Sequence, residues 1–215
     1  MKFSLILSNT KKSVLYAKTL SKFEFYPEEI IYLDDNKKNK LLKFLKSSKL
    51  KNVKIKKFNS LNIDKMTSKY ILRTPTRYYI YSGYPGVIIR DGEILKKKKI
   101  VHFHPGKLPD FKGSTTIYYS VLKERKIFCS TLYLNHKIDQ GRIIGIYKYP
   151  IPKKIKEIDL NYDNYIRCQN LIKFLKSNKK FYKKKNNIFF NQYYVIHPVL
   201  RSIVFKKFNE NKKKK

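Results

Sequence analysis

Residues 100–113 read Ile-Val-His-Phe-His-Pro-Gly-Lys-Leu-Pro-Asp-Phe-Lys-Gly. A short apolar run ends in two histidines one residue apart, and a Pro-Gly break follows at once. In a strand, residues i and i+2 share a face. His102 and His104 therefore point the same way at a strand terminus, where open α/β sheets hold their ligands. The chain has 4 histidines, and two of them here mark a candidate reactive centre.

Upstream, the pattern is that of a parallel sheet. Residues 2–8 (Lys-Phe-Ser-Leu-Ile-Leu-Ser) read as a buried strand, and Asn9 or Thr10 can cap a helix running to about Lys22. Residues 29–33 (Glu-Ile-Ile-Tyr-Leu) read as a second strand. Asp34 or Asp35 is then placed to cap a helix whose Leu41, Leu42, Phe44 and Leu45 share a face. Residues 53–55 form a weak third strand. The β-α-β-α-β order signals parallel strands joined by crossover helices. No Gly-x-Gly-x-x-Gly follows the first strand, where Asn9-Thr10-Lys11-Lys12 stand instead, so a dinucleotide fingerprint is absent. Residues 78–82 (Tyr-Tyr-Ile-Tyr-Ser) read as a fourth strand that breaks into Gly83-Tyr84-Pro85-Gly86. Two glycines there allow close backbone approach to a flat or charged group, although an ordinary tight turn would use them as well.

Downstream, Ser114 is expected to cap a helix to about Glu124. Residues 128–134 then read as a strand, residues 135–141 (Asn-His-Lys-Ile-Asp-Gln-Gly) as a loop, and residues 142–149 as another strand. Residues 160–177 have helical spacing. Residues 179–187 read as a solvated connector, 188–196 as a hairpin, 200–208 as a terminal strand or helix, and 211–215 as a disordered Lys-rich tail.

Composition narrows the function classes. With 42% hydrophobic and 15% aromatic residues, most of the 215-residue chain is expected to be globular. The formal charge of +35 invites a nucleic-acid reading. Two observations weigh against it. The basic residues are overwhelmingly lysine, whereas bidentate readers of bases and phosphates are arginines, here only Arg73, Arg77, Arg90, Arg125, Arg142, Arg167 and Arg201. Asn, Ile, Tyr and Phe are enriched as well, while alanine occurs once, at Ala17. Base bias in the coding sequence explains that pattern. Cys129 and Cys168 have no metal-ligand spacing and read as buried thiols in a reducing compartment. No run approaches a membrane span, and the apolar start at residues 3–7 is too short for a secretory signal. The expectation is a cytoplasmic protein.

Three polar features fall at ligand-facing positions: the Ser82–Gly86 loop, the His102/His104 pair, and Asp139 in its Gly-flanked turn. A histidine beside an aspartate is a proton-transfer pair, the carboxylate orienting the imidazole and stabilising its charged form. A zinc site is the rival reading, since His-x-His plus Asp supplies three ligands. Nothing else in the chain resembles a metal hydrolase pattern, and the adopted reading holds no metal.

The segment His104-Pro105-Gly106-Lys107-Leu108-Pro109, followed by Gly113 and later by Ile138-Asp139-Gln140-Gly141, resembles the folate-dependent formyltransferases. These include glycinamide ribonucleotide, methionyl-tRNA and nucleotide-sugar N-formyltransferases. They typically read Asn-x-His-x-Ser-Leu-Leu-Pro, a nearby Gly, then Asp-x-Gly. The resemblance covers residues 70–150. It implies an α/β, Rossmann-like formyltransferase core with a mostly parallel twisted sheet flanked by helices, plus a short C-terminal extension. The implied partition is a catalytic core at 1–150, a helix and hairpin extension packed on it at 151–210, and the tail at 211–215.

The resemblance also implies a chemistry. A primary amine attacks the formyl carbon of 10-formyltetrahydrofolate, the formyl donor, through a tetrahedral intermediate whose oxyanion needs stabilising. His104 matches the catalytic histidine. Asp139 matches the carboxylate that tunes it and helps take the amine proton, and it also lies among the folate contacts. Ser82, Gly83, Tyr84, Pro85 and Gly86 match the segment that binds the pterin ring through backbone groups. His102 stands where the family has the Asn that donates to the formyl oxygen. An imidazole N–H donates too, but the ring is bulkier and its charge varies near neutral pH. Pro105-Gly106 replace the residues around the family's Ser, which alters the local loop.

The acceptor follows by elimination. A methionyl-tRNA enzyme usually carries a further C-terminal domain. A glycinamide ribonucleotide enzyme uses a glycine-rich phosphate loop after the first strand, which Asn9-Thr10-Lys11 is not. A nucleotide-linked amino sugar remains, with both eliminated classes as alternatives. Further alternatives are a basic nucleic-acid-binding module and a catalytically silent formyltransferase-like protein. A homodimer is compatible with every one of these readings.

Overall fold

Strands built from consecutive apolar residues can be covered on both faces, as a parallel sheet with crossover helices requires. The computed structural model describes residues 1–37, 40–84, 86, 89–152, 154, 156–177 and 192–210. In it β1 (Ser4–Ser8) and β2 (Glu29–Leu33) are buried at every residue. Between them runs α1 (Lys11–Lys22), whose N-cap Thr10 accepts from the Ser13 N–H at 3.2 Å, as its sequence predicts. Helix α2 (Lys40–Ser47) buries Leu41 and Leu45 one turn apart, with Leu42 and Phe44 partly covered. It is not capped by Asp34 or Asp35, which lie too far upstream and have other partners. Asp34 takes the Tyr32 hydroxyl, the Asn36 N–H and Lys57, and Asp35 takes the Lys37 N–H and Asn9.

The edge strand β3 (Lys54–Phe58) is largely exposed, as its lysines dictate. Helix α3 (Lys65–Arg73) is capped by Asp64 on the Thr67 N–H, and α4 (Gly92–Lys97) by Asp91 on the N–H groups of Glu93 and Ile94. Neither helix is among those expected from the residues. Strands β4 (Tyr78–Ser82) and β5 (Lys99–His104) lie where expected. Next come β6 (Lys112–Gly113), α5 (Thr116–Glu124), β7 (Ile127–Tyr133) and β8 (Ile143–Tyr149). A single π-helical turn (Ile158–Tyr162) then leads into α6 (Asp163–Lys176). Finally, β9 (Gln192–Tyr193) precedes α7 (Pro198–Glu210). The terminal element is thus a helix.

Of the expected hairpin at 188–196, residues 188–191 lie outside the described residues; Gln192 and Tyr193 pair in parallel with Lys112 and Gly113. The expected connector at 179–187 and the tail at 211–215 also lie outside the described residues.

Seven strands form one mostly parallel sheet in the order β3-β2-β1-β4-β5-β7-β8. β1, β2, β3, β4 and β5 pair in parallel, and β7 and β8 are antiparallel with a bulge at Thr131/Leu132. The chain winds outward from β1 to β3, then returns to place β4 on the other side of β1. That reversal is the topological switch beside which such sheets bind ligands.

By contact the chain divides into two compact units. The first comprises residues 1–102, 133–142 and 171–180. Its core includes Ile6, Ile31, Leu33, Ile71, Tyr79 and Ile100. The second comprises residues 103–132, 143–170 and 181–215, with Leu108, Leu132 and Ile143 packed together. Within it α6 is fixed to the strands by the fully buried Asn170, which donates to the Cys129 carbonyl and accepts from the Tyr149 hydroxyl. Arg167, on the same helix, donates to the Phe103 carbonyl. Cys129 and Cys168 are buried free thiols, as expected.

Candidate functional site

His104 closes β5 and is only 2% exposed. Its Nε2 lies 2.7 Å from the Phe111 carbonyl oxygen. A carbonyl only accepts, so that nitrogen carries the proton; in a neutral ring so fixed the lone pair falls on Nδ1. Thr116 Oγ1 lies 3.2 Å from the same Nε2 and donates to the Pro105 carbonyl.

The loop that makes this possible needs a glycine. A Cβ at residue 106 would lie 2.7 Å from His104 Nε2, from the Phe111 carbonyl oxygen and from Thr116 Oγ1 alike. Ser130 on β7 secures the next turn, donating to the Gly106 carbonyl at 2.6 Å and accepting from the Leu108 N–H at 3.0 Å. The Leu108–Pro109 peptide is cis. Lys107 reaches Asp110 at 2.9 Å and Glu124 at 3.0 Å, tying the loop to α5. Hydrogen bonds to these two carboxylates, Asp110 first, hold the Lys107 ammonium above its ordinary pKa.

Ser114 does not cap α5. Thr115 occupies the N-cap in the left-handed region (φ 48°), and its side chain makes no cap bond to its own helix. Its Oγ1 accepts from the Ile196 N–H and donates to the Tyr194 carbonyl, and the Ser114 N–H donates to the Tyr193 carbonyl. The polar groups before α5 thus hold the chain that leads into α7.

Asp139 sits in the loop between β7 and β8, buried and in the left-handed region at φ 51°. Asp tolerates that conformation better than most residues. The loop is shaped by Asn135, which donates to the Gln140 carbonyl and accepts from the Lys137 N–H. Gly141 permits the close approach, since a Cβ there would lie 1.7 Å from the Tyr133 carbonyl oxygen. His102 and Asp139, both in the first unit, each offer one nitrogen or oxygen, and these atoms lie within 4.8 Å of each other. The sequence grouped the two histidines with Asp139 by their positions after strands and by the family resemblance. Thr116, Ser130 and the Phe111 carbonyl escaped it. The one available signal was a Ser-Thr pair inside an otherwise apolar strand at 130–131.

The other predicted loop is built differently. Ser82 is fully buried, and its carbonyl accepts from Ser13 and Ser8 while its hydroxyl meets Ser13 at 3.1 Å. Gly83 is buried against its own strand: a Cβ there would lie 2.2 Å from the Tyr81 hydroxyl. Burial, and after it the Asp35 carboxylate, pushes the half-buried Tyr84 phenol up to about 12. Pro85 lies outside the described residues. Gly86 is exposed at φ 76°, with nothing within 4 Å of where a side chain would start. The Tyr81 ring packs near His102, with centroids 6.4 Å apart.

A seven-stranded, mostly parallel sheet with a histidine closing β5 and an aspartate in the β7–β8 loop defines a class: the chain carries the formyltransferase family fold. Solved structures of that family superpose on it. A sugar N-formyltransferase from Shewanella sp. FDAARGOS_354 is 17% identical at TM-score 0.58, the match covering 95% of this chain and 87% of that one. An N-formyltransferase from Helicobacter canadensis, solved with folinic acid and dTDP-3-aminofucose, is 17% identical at TM-score 0.57, covering 90% and 71%. Phosphoribosylglycinamide formyltransferase from Bacillus halodurans is 14% identical at TM-score 0.58, covering 86% and 100%. No family model and no curated protein matches the sequence. Among the described residues no helix is long and apolar enough to cross a membrane.

Proposed function

We propose that this protein is a cytoplasmic N-formyltransferase that moves a formyl group from 10-formyltetrahydrofolate to the primary amine of a nucleotide-linked amino sugar. The observation that carries the reading is His104, buried at the end of β5 with its Nε2 committed to the Phe111 carbonyl. A ring fixed in that tautomer is ready to take a proton at Nδ1 from an attacking amine. The resemblance gives Asp139 the part of stabilising the imidazolium that results. His102 supplies an N–H donor for charge developing on the formyl oxygen.

A folate fits the residues present. Ser82–Gly86 offers a bare backbone at Gly86, whose side-chain direction is open, and glycine lets a flat ring approach main-chain groups closely. The folate supplies the activated formyl group. The amino-sugar acceptor draws support from the sugar N-formyltransferases among the similar structures, one of them solved with dTDP-3-aminofucose.

The test is mass-spectrometric turnover with 10-formyltetrahydrofolate and a panel of amino-sugar nucleotides. His104→Ala and Asp139→Ala are each expected to lower kcat by about 10²–10⁴-fold with unchanged thermal melts. Wild-type turnover by both variants would falsify the assignment.

A further inference from the structure

Tyr81 lies in β4 next to its last residue, Ser82, and Gly83 follows the strand. The Tyr81 ring runs forward along the chain. Its Oη and Cζ lie 2.2 and 2.3 Å from where a Cβ of residue 83 would be. The phenol thus fills the side-chain place of a residue beyond the last strand position, Ser82. Its hydroxyl is delivered past the carboxyl edge of the sheet, beside the β1/β4 switch point where open α/β sheets hold ligands. Tyr81 is 4% exposed, and among the described residues its hydroxyl has no hydrogen-bond partner. A buried polar group left unpaired is costly, and phenylalanine would fill the same space without that cost. Neighbouring Ser82, by contrast, is fully satisfied by Ser8 and Ser13.

We infer that Tyr81 is a ligand-contacting residue whose hydroxyl hydrogen-bonds the heterocycle of a folate seated on the backbone of Ser82, Gly83 and Gly86, and so helps set the choice of formyl donor. The inference rests on the folate reading given above. Burial pushes the Tyr81 phenol up to about 12, so at neutral pH it is an uncharged group that can donate or accept. Its ring lies 6.4 Å from that of His102, which keeps the contact beside the reacting groups.

Tyr81→Phe removes the hydroxyl alone. Folinic acid, as the probe, is titrated calorimetrically into wild type and variant, and both are melted. The expected result is at least tenfold weaker binding by Y81F, a raised KM for 10-formyltetrahydrofolate with kcat within twofold, and a melting temperature equal to or above wild type. Equal affinity overturns the inference and leaves the folate reading standing. A melting temperature several degrees lower overturns it as well, because the hydroxyl would then have a partner within the fold. If the wild-type chain itself does not bind folinic acid, the folate reading falls and this inference with it.

Discussion

At the end of β5, His104, Gly106, Thr116 and Ser130 hold one another. At the end of β4, the Tyr81 hydroxyl is held by nothing among the described residues. The first arrangement fixes a ring nitrogen before any substrate arrives, which lowers the reorganisation needed during a proton transfer. The second leaves hydrogen-bonding capacity for a molecule yet to bind. Proton chemistry calls for a finished geometry, and donor recognition calls for an unfinished one.

The sharpest way to break the first arrangement is Gly106→Ala. One methyl group would meet the histidine, the carbonyl that fixes its tautomer and the threonine beside it, each at 2.7 Å. None of the three is a flexible side-chain end, so the loop has to move. A misplacement on the order of 1 Å costs about 10²-fold in rate. G106A should therefore lose about that much kcat, measured by single-turnover formyl transfer, while donor affinity changes little. An unaltered kcat would show that the fixed ring is not what the chemistry uses.

A smaller effect is expected at His102. An imidazole changes charge between pH 5 and 8, and a carboxamide does not. His102→Asn should keep turnover within about tenfold of wild type and flatten the pH–rate profile in that interval. An unchanged profile would mean that the histidine adds nothing an asparagine lacks.

Much of this was legible in the residues. Long apolar runs announced β1, β2 and β5, and the His-x-His spacing put two imidazoles on one face. The Pro-Gly break after His104 marked the loop without showing why glycine is needed there. That reason is a three-way approach between residues 104, 111 and 116, which only folding creates. Helices α3 and α4 have no comparable signal in the residues. Their caps, Asp64 and Asp91, are single residues in lysine-rich surroundings. Asp34 and Asp35 misled for the opposite reason. They are good capping residues by type, and their partners lie elsewhere, Lys57 on β3 and Asn9 after β1. Thr115 took the cap position assigned to Ser114 because its hydroxyl serves residues 194 and 196, a partnership with no local signature.

Asp34 offers the mildest test, at the end of a third strand, where a buried carboxylate is used to hold the fold together. Burial works to raise its pKa, but the Lys57 ammonium at 2.5 Å, the Asn36 N–H and the Tyr32 hydroxyl outweigh it, and the net effect is a lowered value. A carboxyl group whose folded pKa is depressed stabilises the protein above its unfolded value, roughly 3.9, and loses that contribution as pH falls through the folded one. Lys57 is half exposed, so solvent screens the pair and the effect is modest. Asp34→Asn should cost about 1 kcal/mol at pH 7 in a urea melt. The gap from wild type should narrow below about pH 4, where the wild-type carboxylate protonates as well. A gap of equal size at pH 7 and pH 3 would show that the charge of the Asp34 carboxylate contributes nothing to stability.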